Sequence, residues 1–163
     1  MRNRLLFAAA LVFIQILPGA RAHSQQLTIQ TGTGKQTLLA RADLEALPHI
    51  KITTSASATA STTFEGVSLK TVLDKAGVEF GETMRGKRMA AYLLVEAADG
   101  YRVVIALPEL DPAFTDKQVI LAFLKDGKPL DDKEGPYRLV IPGEKRMARW
   151  VRQVTTLKIV DAQ

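Results

Sequence analysis

Apolar and polar side chains alternate with a period of two along Leu27-Thr28-Ile29-Gln30, and the turn-rich Thr31-Gly32-Thr33-Gly34-Lys35 follows, which predicts a first strand and hairpin. A short helical stretch, Ala42 to Leu47, is stopped by Pro48. From Ile50 to Thr63 the chain is dominated by Thr, Ser and Ala: β-branched residues favour extended structure, but there is little apolar bulk to bury. The pattern then changes period. Phe64-Glu65-Gly66-Val67 leads to Ser68 as helix N-cap, with Leu69, Val72, Leu73 and Ala76 on one face and Gly77 as the stop. Ala91 to Ala97 and Tyr101 to Leu107 read as paired strands joined by Asp99-Gly100, and Pro108 suits the start of a short helix. Val119 to Leu124, a second turn at Asp126-Gly127, Arg138 to Ile141 ended by Pro142-Gly143, and Val154 to Val160 supply the remaining strands. Strands outnumber helices, hairpins recur and no regular βαβ alternation appears, so the expected class is α+β with a largely antiparallel or mixed sheet and short helices.

This reading begins at residue 23, because the first 22 residues have the form of a signal peptide. Arg2 and Arg4 make a basic start, Leu5 to Leu17 is almost continuously apolar, and Ala20-Arg21-Ala22 is a small-x-small cleavage pattern. A transmembrane anchor would need roughly 20 apolar residues, and Pro18-Gly19 ends the run after about 13. The expected organisation is therefore a cleaved segment, 1–22, and one domain, 23–163, exported to the periplasm and not membrane-spanning after cleavage.

Cleavage changes the charge. The 22 Lys and Arg, less Arg2, Arg4 and Arg21, leave 19 basic residues against 17 acidic ones, a net charge of about +2 in place of +5. No polyanion-binding surface follows, and nucleic acid is not an expected partner. The chain has no cysteine, which excludes disulfides, thiolate metal sites, a cysteine nucleophile and lipid attachment through a lipobox.

Five motifs occur in order: Phe64-x-Gly66-Val67-x-Leu69-x-x-Val72-Leu73-x-x-Ala76-Gly77; Asp99-Gly100-Tyr101; Asp126-Gly127-x-x-Leu130; Gly135-Pro136-x-Arg138-Leu139-Val140-x-Pro142-Gly143; and Arg149-Trp150-Val151. The succession resembles the oxidoreductase molybdopterin-binding domain of sulfite-oxidase-like proteins and covers nearly all of 23–163. The resemblance implies a molybdenum held by one cysteine thiolate, with a pterin gripped through its phosphate. The corresponding position falls close to Thr54, within Ile52-Thr53-Thr54-Ser55, where no thiolate exists. Hydroxyls are harder and more basic donors than the soft sulfur such sites select. The export signal agrees: relatives usually travel folded through the twin-arginine route, whereas Arg2-Asn3-Arg4 separates its arginines, so the general secretory route is expected.

Other candidate residues take their roles from the same resemblance. Tyr101 stands where relatives place a tyrosine near the metal; it could hydrogen-bond an anion, or open its strand and pack on the sheet edge. Arg138, Lys145, Arg146, Arg149 and Arg152 gather around Trp150, and Lys145 to Trp150 resembles the loop that helps hold the pterin phosphate. The family pattern expects lysine at Arg149 and small residues where Met147 and Ala148 stand. Thr54, Arg138, Lys145, Arg146 and Arg149 are thus the candidate ligand- or phosphate-binding residues, against the alternative of a solvated basic face. His23 would become the N-terminal residue after cleavage, and a terminal amine with imidazole can chelate copper; a brace needs a second histidine, and His49 is the only other one.

The expected function is that of an exported, non-catalytic molybdopterin-oxidoreductase-like domain without cofactor, binding a small anionic ligand or a periplasmic or membrane-anchored protein partner. The alternative is a molybdenum-dependent oxidoreductase acting on a sulfite- or sulfoxide-type oxo-compound through a hydroxyl or solvent ligand. It requires a deep pocket bounded by Thr54, Tyr101 and Arg149.

Overall fold

The computed structural model describes residues 25–57 and 60–161. Its strands are β1 (Leu27–Gln30), β2 (Gln36–Leu39), β3 (His49–Ser57), β4 (Ala60–Ser68), β5 (Tyr92–Ala97), β6 (Arg102–Ala106), β7 (Ile120–Lys125), β8 (Lys128–Pro129), β9 (Arg138–Val140) and β10 (Val154–Val160). The α-helices are α1 (Arg41–Glu45) and α2 (Leu69–Lys75), joined by short 3-10 turns that include Leu107–Leu110 and Met147–Arg149. None of the described helices is long and apolar enough to cross a membrane.

Two sheets form. One has the order β2-β1-β10-β5-β6; the other runs β3-β4-β7-β8, with β9 also paired to β7. Every pairing is antiparallel except β1 with β10. In β5 and β6 alternate residues are buried, so Leu93, Val95, Val103 and Ile105 enter the core while their neighbours face outward. β7 is different: Ile120, Leu121, Ala122 and Phe123 are all buried, as in a strand covered on both faces. Side chains from both sheets meet in one buried cluster with Leu69, Val72 and Leu73 of α2.

The period-two and period-3.6 signals land where expected, including the α+β class and the two Asp-Gly hairpins. Two readings gain detail. The Ile50–Thr63 run and the Phe64–Val67 segment belong to two long paired strands, registered from His49 opposite Val67 to Ser57 opposite Ala60. Phe64–Val67 leads into α2 as expected, and does so as the last part of β4, which ends at Ser68. Gly66 is required there for a packing reason: a Cβ at this position would lie 2.1 Å from the Leu121 carbonyl oxygen and 2.5 Å from the Ala122 Cα, both main-chain atoms of β7. Ser68 occupies the N-cap position but its hydroxyl caps nothing; the first helical N–H, that of Leu69, donates to the Val119 carbonyl instead, at 2.9 Å. The helix C-terminus follows prediction. Gly77, at φ +85°, donates to Asp74 O and Val78 donates to Leu73 O, the paired bonds of a Schellman motif.

Candidate functional site

The β5–β6 hairpin fixes Tyr101. Asp99 Oδ1 accepts the Tyr101 N–H at 2.9 Å, and Ala97 N donates to the Tyr101 carbonyl, so the residue opens β6 from a tight turn. Its side chain is half exposed, and its hydroxyl donates to the Ala148 carbonyl at 2.8 Å. The hydroxyl hydrogen is thus spent on the Met147–Arg149 turn, and the exposed ring stands at the start of the edge strand β6. Beside it is an open cleft of about 580 Å³, lined by Tyr101, Lys133, Trp150, Arg152 and Gln153 among others. Neither Thr54 nor Arg149 lines this cleft.

Arg149 is engaged within the fold. Its Nε donates to Glu144 Oε1 at 2.7 Å, its Nη2 pairs with the same oxygen and lies 3.6 Å from Glu109 Oε2, and its Nη1 donates to the Val104 carbonyl at 3.4 Å. Burial alone pulls its pKa down, but the hydrogen bond and charge of Glu144, with Glu109 behind it, hold the guanidinium above its ordinary value. Arg138 lies deeper, in the interior. It pairs with Glu134, whose other oxygen lies 3.2 Å from Lys125 Nζ, and its guanidinium sits 5.1 Å from the Phe64 ring and 5.8 Å from the Trp150 ring. Phe64 and Trp150 meet edge to face at 5.9 Å, and the indole N–H donates to the Ile141 carbonyl.

The candidate cations therefore divide. Arg138 and Arg149 are neutralised by carboxylates. Lys145, Arg146 and Arg152 are exposed and, among the described residues, within salt-bridge reach of no acid.

Thr54 lies in β3 opposite Thr62, and its hydroxyl donates to the Thr62 carbonyl at 3.4 Å. Residues two apart share a face, so Thr54 and Ile52 lie on the same face as Thr62 and Phe64, the face that meets Trp150. The donor at this place is a hydroxyl already used within the hairpin. Among the described residues no group of three or more His, Cys, Asp or Glu is arranged to hold a metal ion. Hydroxyls and carbonyls do not match thiolate ligation of a soft centre, so the residues present do not fit a molybdenum held in the manner the resemblance implies.

His23 lies outside the described residues. His49 Nδ1 is 3.0 Å from Glu65 Oε1 and its Nε2 is 3.0 Å from the Glu45 carbonyl, so both ring nitrogens are occupied between α1 and β4. That hydrogen bond from His49, assisted by Lys51 at 3.3 Å and opposed by burial, holds the Glu65 carboxyl below its ordinary range.

Sequence reasoning did not anticipate the acids. Glu109, Glu134 and Glu144 decide which arginines stay free, yet nothing in their spacing distinguishes them from other surface glutamates. Gln153 was also missed. It adopts φ +51°, rare for a residue with a Cβ, and there its N–H donates to Glu134 O, its carbonyl accepts from Ala98 N, and its side-chain amide donates to Asp132 O. One residue thereby ties the 131–134 loop to the β5–β6 hairpin at the floor of the cleft.

With this geometry in hand, comparison with known proteins is informative. A model of the oxidoreductase molybdopterin-binding domain matches residues 15–163. A search of curated proteins finds no match. Among solved structures, the crystal structure of the sulfane dehydrogenase SoxCD from Paracoccus pantotrophus superimposes with a TM-score of 0.65 at 22% identity, covering 84% of this chain and 38% of that one. At that identity the likeness carries the fold, which is the sulfite-oxidase-like arrangement, and this chain spans well under half of the SoxCD chain. The match over residues 15–163 places the chain in the oxidoreductase molybdopterin-binding domain family, and it belongs to that family.

Proposed function

We propose that this protein is an exported member of its family that does not carry out molybdenum catalysis and instead binds a small anionic ligand or an acidic surface of a protein partner. The carrying observation is the absence of cysteine anywhere in the chain, together with a Thr54 hydroxyl that is already bonded inside its hairpin. In support, Arg152 lines the cleft beside Tyr101 and Trp150, and Lys145 and Arg146, also exposed and without an acid partner among the described residues, directly precede its lining residues Met147 and Ala148 in the chain. Arginine forks suit phosphate, sulfate and carboxylate groups. The reading includes a leader removed after Ala22 and export by the general secretory route to the periplasm, with no cofactor carried across.

Trp150 is the single tryptophan and lines the cleft, so its fluorescence reports binding there. Titration with inorganic phosphate or sulfate is expected to give a saturable change that disappears in the Lys145→Ser/Arg146→Ser/Arg152→Ser variant. A flat titration, or one unchanged in the variant, rules out anion binding at this place.

The second reading is a molybdenum-dependent oxidoreductase acting on a sulfite- or sulfoxide-type compound. Family membership favours it. Of the residues it would use, Tyr101 lines the cleft beside Trp150 and Thr54 and Arg149 do not, and no step is assigned to them.

A further inference from the structure

We infer that the protein associates with a second copy of itself by pairing β3 against β3 across a two-fold axis. The direction of the peptide groups decides which main-chain atoms of β3 are free. Asp126 N donates to the Thr63 carbonyl and Asp126 Oδ1 accepts from Thr63 N, both at 2.8 Å, so the main-chain groups of Thr63 point away from β3. In an antiparallel pair, directly opposed residues alternate between hydrogen-bonded and non-hydrogen-bonded. Thr53, opposite Thr63, is therefore in a non-bonded pair, as the close 3.0 Å approach of the two Thr hydroxyls also indicates. By the same alternation, Lys51, Thr53 and Ser55 send their N–H and C=O groups off the free edge of the sheet. All three residues are exposed, and among the described residues no hydrogen bond reaches those groups.

The edge at the other sheet is protected. There Arg149 Nη1 donates to Val104 O, and Glu109 Oε1 accepts from Ala106 N, so side chains from two neighbouring turns, Met147–Arg149 and Leu107–Leu110, cover β6. β2, β8 and β9 are short, at four, two and three residues. β3, at nine residues, has no comparable cover among the described residues, and its centre, Thr53-Thr54-Ser55, carries no charge and no proline to discourage pairing.

The occupant follows from self-complementarity. Two-fold pairing centred on Thr53 sets Thr53 opposite the second copy's Thr53 and Lys51 opposite its Ser55, so no like charges face each other. On one face the Thr63–Thr53 hydroxyl pair continues into its symmetry equivalent, a favourable kind of cross-strand neighbour. Centring on Lys51 would instead oppose two ammonium groups. The contact is isologous and closes at two copies. It depends on neither the anion-binding nor the enzymatic reading.

Sedimentation velocity on the purified protein tests it. A dimer is expected for the unaltered chain and a monomer for Thr53→Pro, which removes an N–H that β4 does not use, and for Thr53→Lys, which opposes like charges while keeping the N–H. Circular dichroism of Thr53→Lys identical to the unaltered protein separates loss of pairing from loss of fold. In the dimer the amides of Lys51, Thr53 and Ser55 resist hydrogen exchange; in the variants Lys51 and Ser55 exchange freely. A monomer in the unaltered protein, or a dimer that survives both substitutions, overturns the proposal.

Discussion

Arg138 and Arg149 differ sharply from Lys145, Arg146 and Arg152, although all five lie within one short stretch of chain. The first two are held by Glu134 and by Glu144 with Glu109; the other three face solvent without an acid partner among the described residues. A guanidinium that has entered the interior must be matched there, because an uncompensated buried charge costs far more than an exposed one. Once matched, it is unavailable to an outside anion. The contrast shows that the cation count near Trp150 overstates the ligand-facing charge, and that the acids set the true number.

The strongest way to break this contrast is Arg138→Ala. It strands Glu134 against Lys125 alone and removes the guanidinium from beside the Phe64–Trp150 pair, so a loss of about 3–5 kcal/mol in urea unfolding is expected. Arg138→Met with Glu134→Gln removes both charges and should recover part of that loss. Arg149→Ala, at a site one-third exposed, leaves Glu144 without its partner and is expected to cost about 1–3 kcal/mol. A loss in Arg149→Ala equal to that in Arg138→Ala would contradict the difference in depth between the two.

Glu65 sharpens the comparison from the acid side. Its folded pKa is lowered, so its contribution is complete above the unfolded carboxyl value of about 4.3 and is lost as pH falls through the folded value. Glu65→Gln should therefore flatten the fall in stability between about pH 5 and pH 3; an unchanged acid limb would show that His49 and Lys51 do not hold it. The smallest effect belongs to the exposed group. Lys145→Ser/Arg146→Ser/Arg152→Ser should leave unfolding within about 0.5 kcal/mol per site of the unaltered protein while abolishing the anion response.

Much of the fold was legible because periodicity reports burial contrast. β5 and β6 alternate clearly, α2 carries a full apolar face, and Asp-Gly pairs mark the β5–β6 and β7–β8 hairpins. β3 and β4 were harder to separate, since Thr, Ser and Ala give little contrast between faces. That Phe64–Val67 enters the helix was legible; that it is also a strand paired to β7 was not, because the close approach of Gly66 to the β7 main chain is a tertiary fact. At the site, the turn that presents Tyr101 was legible, as was the missing thiolate. The pairing of Arg138 with Glu134 and of Arg149 with Glu144 and Glu109 was not, because it depends on loops brought together by the two sheets.

The absent cysteine began as a count and becomes a chemical statement once Thr54 is seen bonded to Thr62 within a paired hairpin. Metal and pterin analysis of the protein purified from its native compartment tests that statement most directly. The account predicts no molybdenum, no tungsten and no pterin above background; a stoichiometric metal with its pterin would contradict it.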